Sequence, residues 1–390
     1  MEIKKREIFS RIKAYYEAPE AIIVTGMRRT GKTTVLKYIY GEIDNPNKLF
    51  LDLENPVNRR FFEEENYEQI KYAFTSLGVD LSKKAYLFID EIQFAKNLPS
   101  VVKYFIDHYQ TKFFLTGSAS FYLKNHFSET LAGRKYIFDL YPLTFREFLQ
   151  FKDKHLVIPD ENAPISKPLH DTITAEYDEY LEFGGFPGVV LKQTKTEKQK
   201  SIEDIFSSYY HLEIVELSDF RKNKEIRNLL LLLMQRVGTR LDVLKISSEL
   251  GVSRPTLNNY IEFLHDTFFI HLISPLSKGR DTEIRKSPKI YLCDCGLVNH
   301  FATIDRGRLF ENNVFQALIQ RGEVNYYQRK SGVELDFILN KQIAYEAKLN
   351  PSASDYNKLS TLAKNIDINR YFMVSKNYST REKVLYGYQL

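Results

Sequence analysis

The chain has 390 residues, 43% hydrophobic and 27% charged. That composition is ordinary for a globular protein and excludes a disordered or collagen-like chain; at about 150 residues per domain it predicts two or three domains. The formal charge of +5 is too mild to argue for a polyanion binder, but it hides an asymmetry: residues 1–221 hold 30 basic and 33 acidic side chains, residues 222–390 hold 25 and 17. Such a split is a cue for a C-terminal part that meets nucleic acid. Two cysteines, Cys293 and Cys295, exclude a disulfide framework or a four-cysteine zinc site and fit a reducing compartment. Their spacing reads as one face of a core strand. The N-terminus lacks the apolar stretch of a signal peptide, and the longest apolar run, Leu229–Met234, is far short of a membrane span. The expectation is a cytoplasmic protein without a membrane partner.

In chain order, Ala21–Thr25 is a β-branched apolar run that predicts a buried parallel strand. Gly26-Met27-Arg28-Arg29-Thr30-Gly31-Lys32-Thr33 follows directly and matches G-x-x-x-x-G-K-[ST] in full, with Thr34 next. The glycines let backbone N–H groups wrap phosphates, and a helix from Thr33 to about Tyr40 points its positive end at them. Lys32 is expected on the β- and γ-phosphates and Thr33 on Mg²⁺, so ATP and Mg²⁺ are the implied cofactors. Arg28 and Arg29 add positive charge to the loop. Tyr86–Glu91 is a buried-strand pattern ending in two carboxylates. Asp90 is the expected partner of the Mg²⁺ and Glu91 the group that orients or deprotonates the attacking water; the bland alternative is a solvated turn. A third strand ends in Thr116 and Ser118, of which Ser118 is favoured as the residue facing the γ-phosphate. Leu131-Ala-Gly-Arg134 carries an arginine that could complete this site or a neighbouring subunit's, with a surface ion pair as the alternative.

Residues 151–222 read as helical, broken by Gly184-Gly185-Phe-Pro187, where a tight turn suffices. Glu225–Arg236, Leu244–Leu250 and Thr256–His265 then form three helices at helix-turn-helix spacing, with Gly251-Val252 as the turn and Ser253 as a cap. Phe268–Ile273 and Lys289–Leu292 would be wing strands joined by the basic loop Ser277–Arg280. A nucleic-acid role would present Arg254, Asn258 and Asn259 in a groove; the other reading is a protein-contact or interdomain element. Leu309–Leu318 is an amphipathic helix with Glu311 near its start. Val333–Leu339 and Gln342–Leu349 make a hairpin around Asn340-Lys341. Alternation puts Glu334 and Asp336 on one face of the first strand and Glu346 and Lys348 on one face of the second. Three carboxylates and a lysine so gathered form a D…E-x-K arrangement, with Glu311 as a helix-borne addition. Asp336, Glu346 and Glu311 would hold Mg²⁺, a hard ion that prefers oxygen, and Lys348 would hold the nucleophile. The bland reading is the wet side of an edge hairpin.

The ordered set Gly26–Thr34, Leu51-Asp-Leu-Glu54, Asp90-Glu-Ile-Gln93, Thr116-Gly-Ser118, Leu131–Arg134, Tyr141–Leu149, Phe183–Pro187 and the C-terminal D…E-x-K pattern resembles the prokaryotic predicted ATPases of the AAA+ superfamily that carry a nuclease-like C-terminal domain of unassigned function. The likeness departs at Gly188, where an acidic residue is expected. It implies an α/β P-loop core of AAA+ type at 1–150, a helical lid or linker at 151–222, a winged helix at 223–285 and a restriction-nuclease-like α/β domain at 286–390. The function it implies is an ATPase whose nucleotide state controls a module acting on DNA or RNA. The alternative is an ATP-dependent switch that recruits protein partners through the same domains. Such ATPases often assemble into rings, and Arg134 would act in trans only in an oligomer.

Overall fold

The computed structural model describes residues 3–64, 66–117, 130–161, 163–216, 223–276, 287–329, 331–381 and 384–390. It divides into two compact units: Met1–Tyr141 with Asp266–Phe268, and Pro142–His265 with Phe269–Leu390. Among the described residues no helix is long and apolar enough to cross a membrane.

The first unit is a parallel five-stranded sheet: β1 (Ala21–Thr25), β2 (Lys48–Asp52), β3 (Ala85–Asp90), β4 (Thr111–Gly117) and β5 (Lys135–Asp139), in the order β2-β3-β4-β1-β5. The strands β1, β3 and β4 are buried at every position. The reason is visible in the side-chain alternation. Ala21, Ile23, Leu87, Ile89, Phe113 and Leu115 pack on one face against helix Leu98–His108. Ile22, Val24, Phe88 and Phe114 pack on the other against helices Ile8–Lys13 and Lys32–Glu42. Two covered faces demand a continuous apolar run, and each large side chain so buried contributes roughly 1.5–3 kcal/mol. Parallel pairing also brings the C-terminal ends together: Thr25 lies beside Gly117, and Asp52 beside Asp90. The carboxyl edge of an open α/β sheet is where ligands bind.

The second unit opens with helices Phe145–Phe151, Lys167–Phe183, Pro187–Val190 and Lys195–Tyr209, the first and last started by capping boxes at Thr144 and Thr194. These helices, expected to form a lid, cluster with the C-terminal unit. The physical cause is a set of long-range contacts. Tyr177 donates from its hydroxyl to Asn313, and His170 Nδ1 lies 3.0 Å from the Tyr388 hydroxyl. The Gly184-Gly185 pair is more than a turn. Gly184 has a φ of +77°, and a Cβ there would lie 2.0 Å from Asp294 Oδ1. The Gly185 N–H donates to Asp294 Oδ2 at 2.7 Å. Asp294 also caps helix Cys295–Phe301, so two helix ends share one buried carboxylate, which burial pushes up to about 6. Cys295 therefore starts a helix rather than continuing a strand, and both thiols are buried and unbridged.

Three helices follow at Asn223–Gln235, Val243–Leu250 and Arg254–Asp266, with Gly251 in the left-handed conformation between the last two. Strands β6 (Ile270–Ile273) and β7 (Lys289–Leu292) pair antiparallel. Residues 238–241 add a third strand-like stretch, through Gly238 N–H to Ile290 O at 2.8 Å and Leu241 N–H to Pro288 O at 2.8 Å. The basic loop Ser277–Arg280 lies outside the described residues. The remaining strands, β8 (Val324–Gln328), β9 (Glu334–Leu339), β10 (Ile343–Lys348), β11 (Arg370–Ser375) and β12 (Val384–Tyr386), form a second sheet in the order β12-β11-β10-β9-β8. The β9–β10 hairpin turns on Asn340 and Lys341, both at positive φ, with the Gln342 N–H donating back to Leu339 O at 3.0 Å before Ile343 pairs with Leu339. Helix Ala353–Asn365 connects β10 to its parallel neighbour β11.

Candidate functional site

In the first unit the glycine loop runs from β1 to helix Lys32–Glu42. Gly26 (φ +149°) passes so close to the next strand's exit that a Cβ would lie 2.2 Å from Leu140 O. Gly31 caps the helix in a left-handed conformation. Arg29 has a φ of +70°, a state that costs a non-glycine residue about 1–3 kcal/mol and persists only where the surroundings enforce it. The enforcement comes from inside the loop and from one outside residue. The Thr30 hydroxyl donates to Met27 O at 2.8 Å. Buried Arg6 donates to Thr30 O at 3.1 Å and to Tyr141 O at 2.9 Å. The Lys32 ammonium donates to Gly26 O and Met27 O, both at 3.0 Å. Thr33 is half-buried, Thr34 and Arg29 are exposed, and Arg28 is half-buried.

Asp90, at the end of β3, is buried rather than solvated. Burial raises its carboxyl above the usual range, hydrogen bonds from Thr116 and Thr33 pull it back, and Glu91 and Asp52 push it up again. Thr116, on β4, is thus the strand-tip hydroxyl in contact with this carboxylate; Ser118 lies outside the described residues. Glu91 turns the chain at a φ of +55° and accepts from Gln93 Nε2. The Thr33 hydroxyl and the Asp90 carboxylate at the mouth of the glycine loop fit a nucleotide with Mg²⁺, an ion held by one or two protein oxygens plus phosphates and water. Next to it, the buried Thr25 Oγ has no hydrogen-bond partner among the described residues. Arg134 stands elsewhere. It precedes β5, whose register pairs Lys135 with Ala21 and Asp139 with Thr25. That sets it roughly 16 Å along the strand from the loop, at 3.3 Å per residue. Its partner is Asp107, at 2.8 Å, so it does not complete the site of its own chain.

In the second unit the paired strands gather the expected carboxylates. β9 and β10 are interior strands of their sheet, not an edge hairpin, and Glu346 is fully buried while Asp336 is nearly so. The Asp336 N–H donates to Glu346 Oε2 at 3.3 Å, and the Ala347 N–H donates to Asp336 Oδ2 at 3.0 Å. Lys348 bridges the two, 3.0 Å from Glu346 and 3.5 Å from Asp336. Burial and then Asp336 raise the Glu346 carboxyl against the pull of Lys348 and Lys358. Burial would lower the Lys348 ammonium, but Asp336 and Glu346 overcome it and hold it well above its ordinary value. Glu311, on helix Arg306–Ile319, takes the Tyr291 hydroxyl at 2.6 Å; burial, then Asp336, push it up to about 7.

Three participants were not legible in the sequence. Lys289 reaches in from β7 to Glu334 (3.0 Å), Glu311 (3.8 Å) and Asp336 (4.0 Å). Lys358, on helix Ala353–Asn365, is 2.9 Å from Glu346. Tyr291, two residues after Lys289, holds Glu311. Their only signal was a lysine in an otherwise apolar strand. Among the described residues no three His, Cys, Asp or Glu side chains gather to hold a metal. The oxygens present fit a hard divalent ion on the Asp336–Glu346 pair, with Glu311 outside that pair, held by Tyr291 and Lys289. In the three-helix segment, Arg254, Asn258 and Asn259 are exposed on the last helix, while Leu257, Tyr260, Ile261 and Leu264 bury its other face.

Sheet order, loop geometry and the buried Asp90 all describe a phosphate-binding core. Residues 18–149 match the AAA domain family. The first unit is thus an α/β fold with a parallel-sheet P-loop NTPase core. Residues 174–308 match a domain of unknown function (DUF8612). An uncharacterized protein of Methanocaldococcus jannaschii is 29% identical over 364 residues, covering 88% of this chain and 79% of its own length. An uncharacterized protein of Haemophilus influenzae is 26% identical, covering 85% and 84%. Among solved structures, the Aeropyrum pernix ORC1 protein in complex with DNA is similar at a TM-score of 0.33 and 13% identity, over 82% of this chain and 94% of that one. Cdc6p of Pyrobaculum aerophilum is similar at a TM-score of 0.30 and 13% identity, over 75% and 92%.

Proposed function

We propose that the chain is a Mg²⁺-dependent ATPase whose nucleotide state controls a C-terminal module that cleaves nucleic acid. The ATPase half rests on the complete loop with its buried Asp90 and on the AAA match. Lys32 would exchange its two loop carbonyls for the β- and γ-phosphates. Thr33 and Asp90 would hold Mg²⁺, which supplies charge neutralisation at the transferring phosphoryl group. Glu91 would orient the attacking water. Arg134 enters the proposal only in trans, in an oligomer.

The single observation that carries the nucleolytic half is the burial of Asp336 and Glu346 side by side with Lys348 across both. Burying charges without function is costly, and perturbed buried clusters mark candidate sites. Asp336 and Glu346 would hold a divalent ion, which supplies an activated water and shields phosphate charge. Lys348 would hold the nucleophile. The three helices at 223–266 with β6 and β7 are read as a winged helix that presents Arg254, Asn258 and Asn259 to the strand. The test is incubation of the full chain with DNA and RNA, with and without ATP and Mn²⁺, against Asp336→Ala. Cleavage lost in that variant is the expected result; no cleavage under any condition refutes it.

A second reading keeps the ATPase and makes the C-terminal unit a protein-binding surface. The observation favouring it is that Lys289, Lys348 and Lys358 already neutralise the carboxylates. Steeply salt-dependent nucleic-acid binding would decide against it.

A further inference from the structure

The C-terminal carboxylates carry two cations more than the D…E-x-K reading uses, Lys358 on Glu346 and Lys289 on the other three. Lys289 comes from β7, outside the five-stranded sheet that bears Asp336 and Glu346. Its side chain is only 4% exposed. An ammonium so buried is expensive unless compensated, and here three carboxylates lie within 4.0 Å. The two oxygens of Asp336 are divided between two lysines. Oδ2 takes the Ala347 N–H and faces Lys348. Oδ1 accepts no hydrogen bond among the described residues and faces Lys289 at 4.0 Å. Oδ1 is therefore the oxygen most available to a hard cation, and Lys289 is the charge such an ion would meet. Lys289 and Glu334 also line one cleft of about 750 Å³, walled by Gly238–Leu244.

We propose that Lys289 is the resident counter-cation of this site: its ammonium holds the space between Glu334, Glu311 and Asp336 and sets divalent-ion affinity by competing for the same oxygens. The inference rests on the reading of Asp336 and Glu346 as metal-binding. Lys289 is a positioning residue that acts through the carboxylates. Two like charges about 4–6 Å apart at a partly buried site repel each other, so its removal tightens ion binding by at least about tenfold.

The experiment is Mn²⁺ binding to the full nucleotide-free chain, followed by calorimetry and by electron paramagnetic resonance of the free ion. An Asp90→Asn background silences the carboxylate of the nucleotide site. Lys289→Gln and Lys289→Met are expected to bind Mn²⁺ at least about tenfold more tightly than the parent, and Lys289→Arg to keep the parent's affinity. Damage to the fold would weaken binding, so the direction separates the proposed role from a merely structural one. Adding Asp336→Ala to Lys289→Gln is expected to abolish the gain. Affinity unchanged or weaker in both neutral variants, with parental binding still dependent on Asp336, overturns the role of Lys289 and leaves the metal reading standing. No Mn²⁺ binding in any variant, or binding that Asp336→Ala leaves intact, refutes the metal reading and this inference with it.

Discussion

Replacing Gly184 with alanine should destabilise the second unit more than most single changes could. The added methyl meets Asp294 at 2.0 Å from Oδ1 and 2.4 Å from Oδ2, and neither oxygen can retreat freely: one takes the Gly185 N–H, the other caps Leu297. A backbone at φ +77° and ψ −170° is nearly reserved for glycine and costs alanine about 1–3 kcal/mol. Forcing a methyl into a packed interior costs about 1–3 kcal/mol, and losing a hydrogen bond to a charged group about 1.5–3 kcal/mol. The terms overlap, and together they give about 3–5 kcal/mol, at the upper end for one substitution. Gly188→Ala is the internal control, because a Cβ there meets nothing nearer than Ser201 Oγ at 3.9 Å. Urea unfolding followed by far-UV circular dichroism suits a chain without tryptophan. With two compact units the transition need not be two-state, so hydrogen exchange by mass spectrometry should locate the loss in peptides around Phe183 and Asp294. A Gly184→Ala stability equal to that of Gly188→Ala would refute the shared-carboxylate account.

Other expectations follow from the same geometry. The Asp294 carboxyl, buried and pushed up to about 6, binds its proton more tightly folded than unfolded. Its contribution is therefore fully present below about pH 4 and lost as pH rises through about 6. The stability difference between the wild type and Asp294→Asn should shift by about 2–3 kcal/mol across that window, and a flat difference by chemical denaturation would show the carboxylate to be wetter than described. Lys32→Ala should lose binding of a fluorescent ATP analogue. Glu91→Gln should bind it normally yet hydrolyse ATP at least about 100-fold more slowly; wild-type turnover would remove Glu91 from the reaction. Asp336→Ala should leave ATP turnover intact while ending any Mn²⁺-dependent cleavage, read on labelled oligonucleotides.

What the sequence disclosed follows the range of the interactions concerned. The loop from Gly26 to Thr33 and the strand tip at Asp90 were legible because strand, glycines and helix start are contiguous. The β9–β10 hairpin was legible because alternation over twelve residues around Asn340-Lys341 specifies which side chains share a face. Lys289, Lys358 and Arg6 were not, because each enters its site across a tertiary contact that no spacing encodes. The Gly184-Gly185 pair shows the same limit. Its turn was evident, but the reason for two glycines lies more than a hundred residues away, at Asp294. The stretch at 238–241 was missed for a different reason: Gly-Thr-Arg-Leu has no strand pattern, and its pairing with residues 288–290 supplies what propensity lacks.

Arg6 gives the first unit a mechanical property. Its two terminal nitrogens grip Thr30 O in the glycine loop and Tyr141 O at the last residue before the chain leaves that unit. A guanidinium is flat and stiff, so the two carbonyls are held like two points on one crossbar. Gly26, pressed against Leu140 O, forms a second rung beside it. The phosphate loop and the chain at Leu140 and Tyr141, the last residues before the chain leaves the first unit, are thus tied to each other at two points.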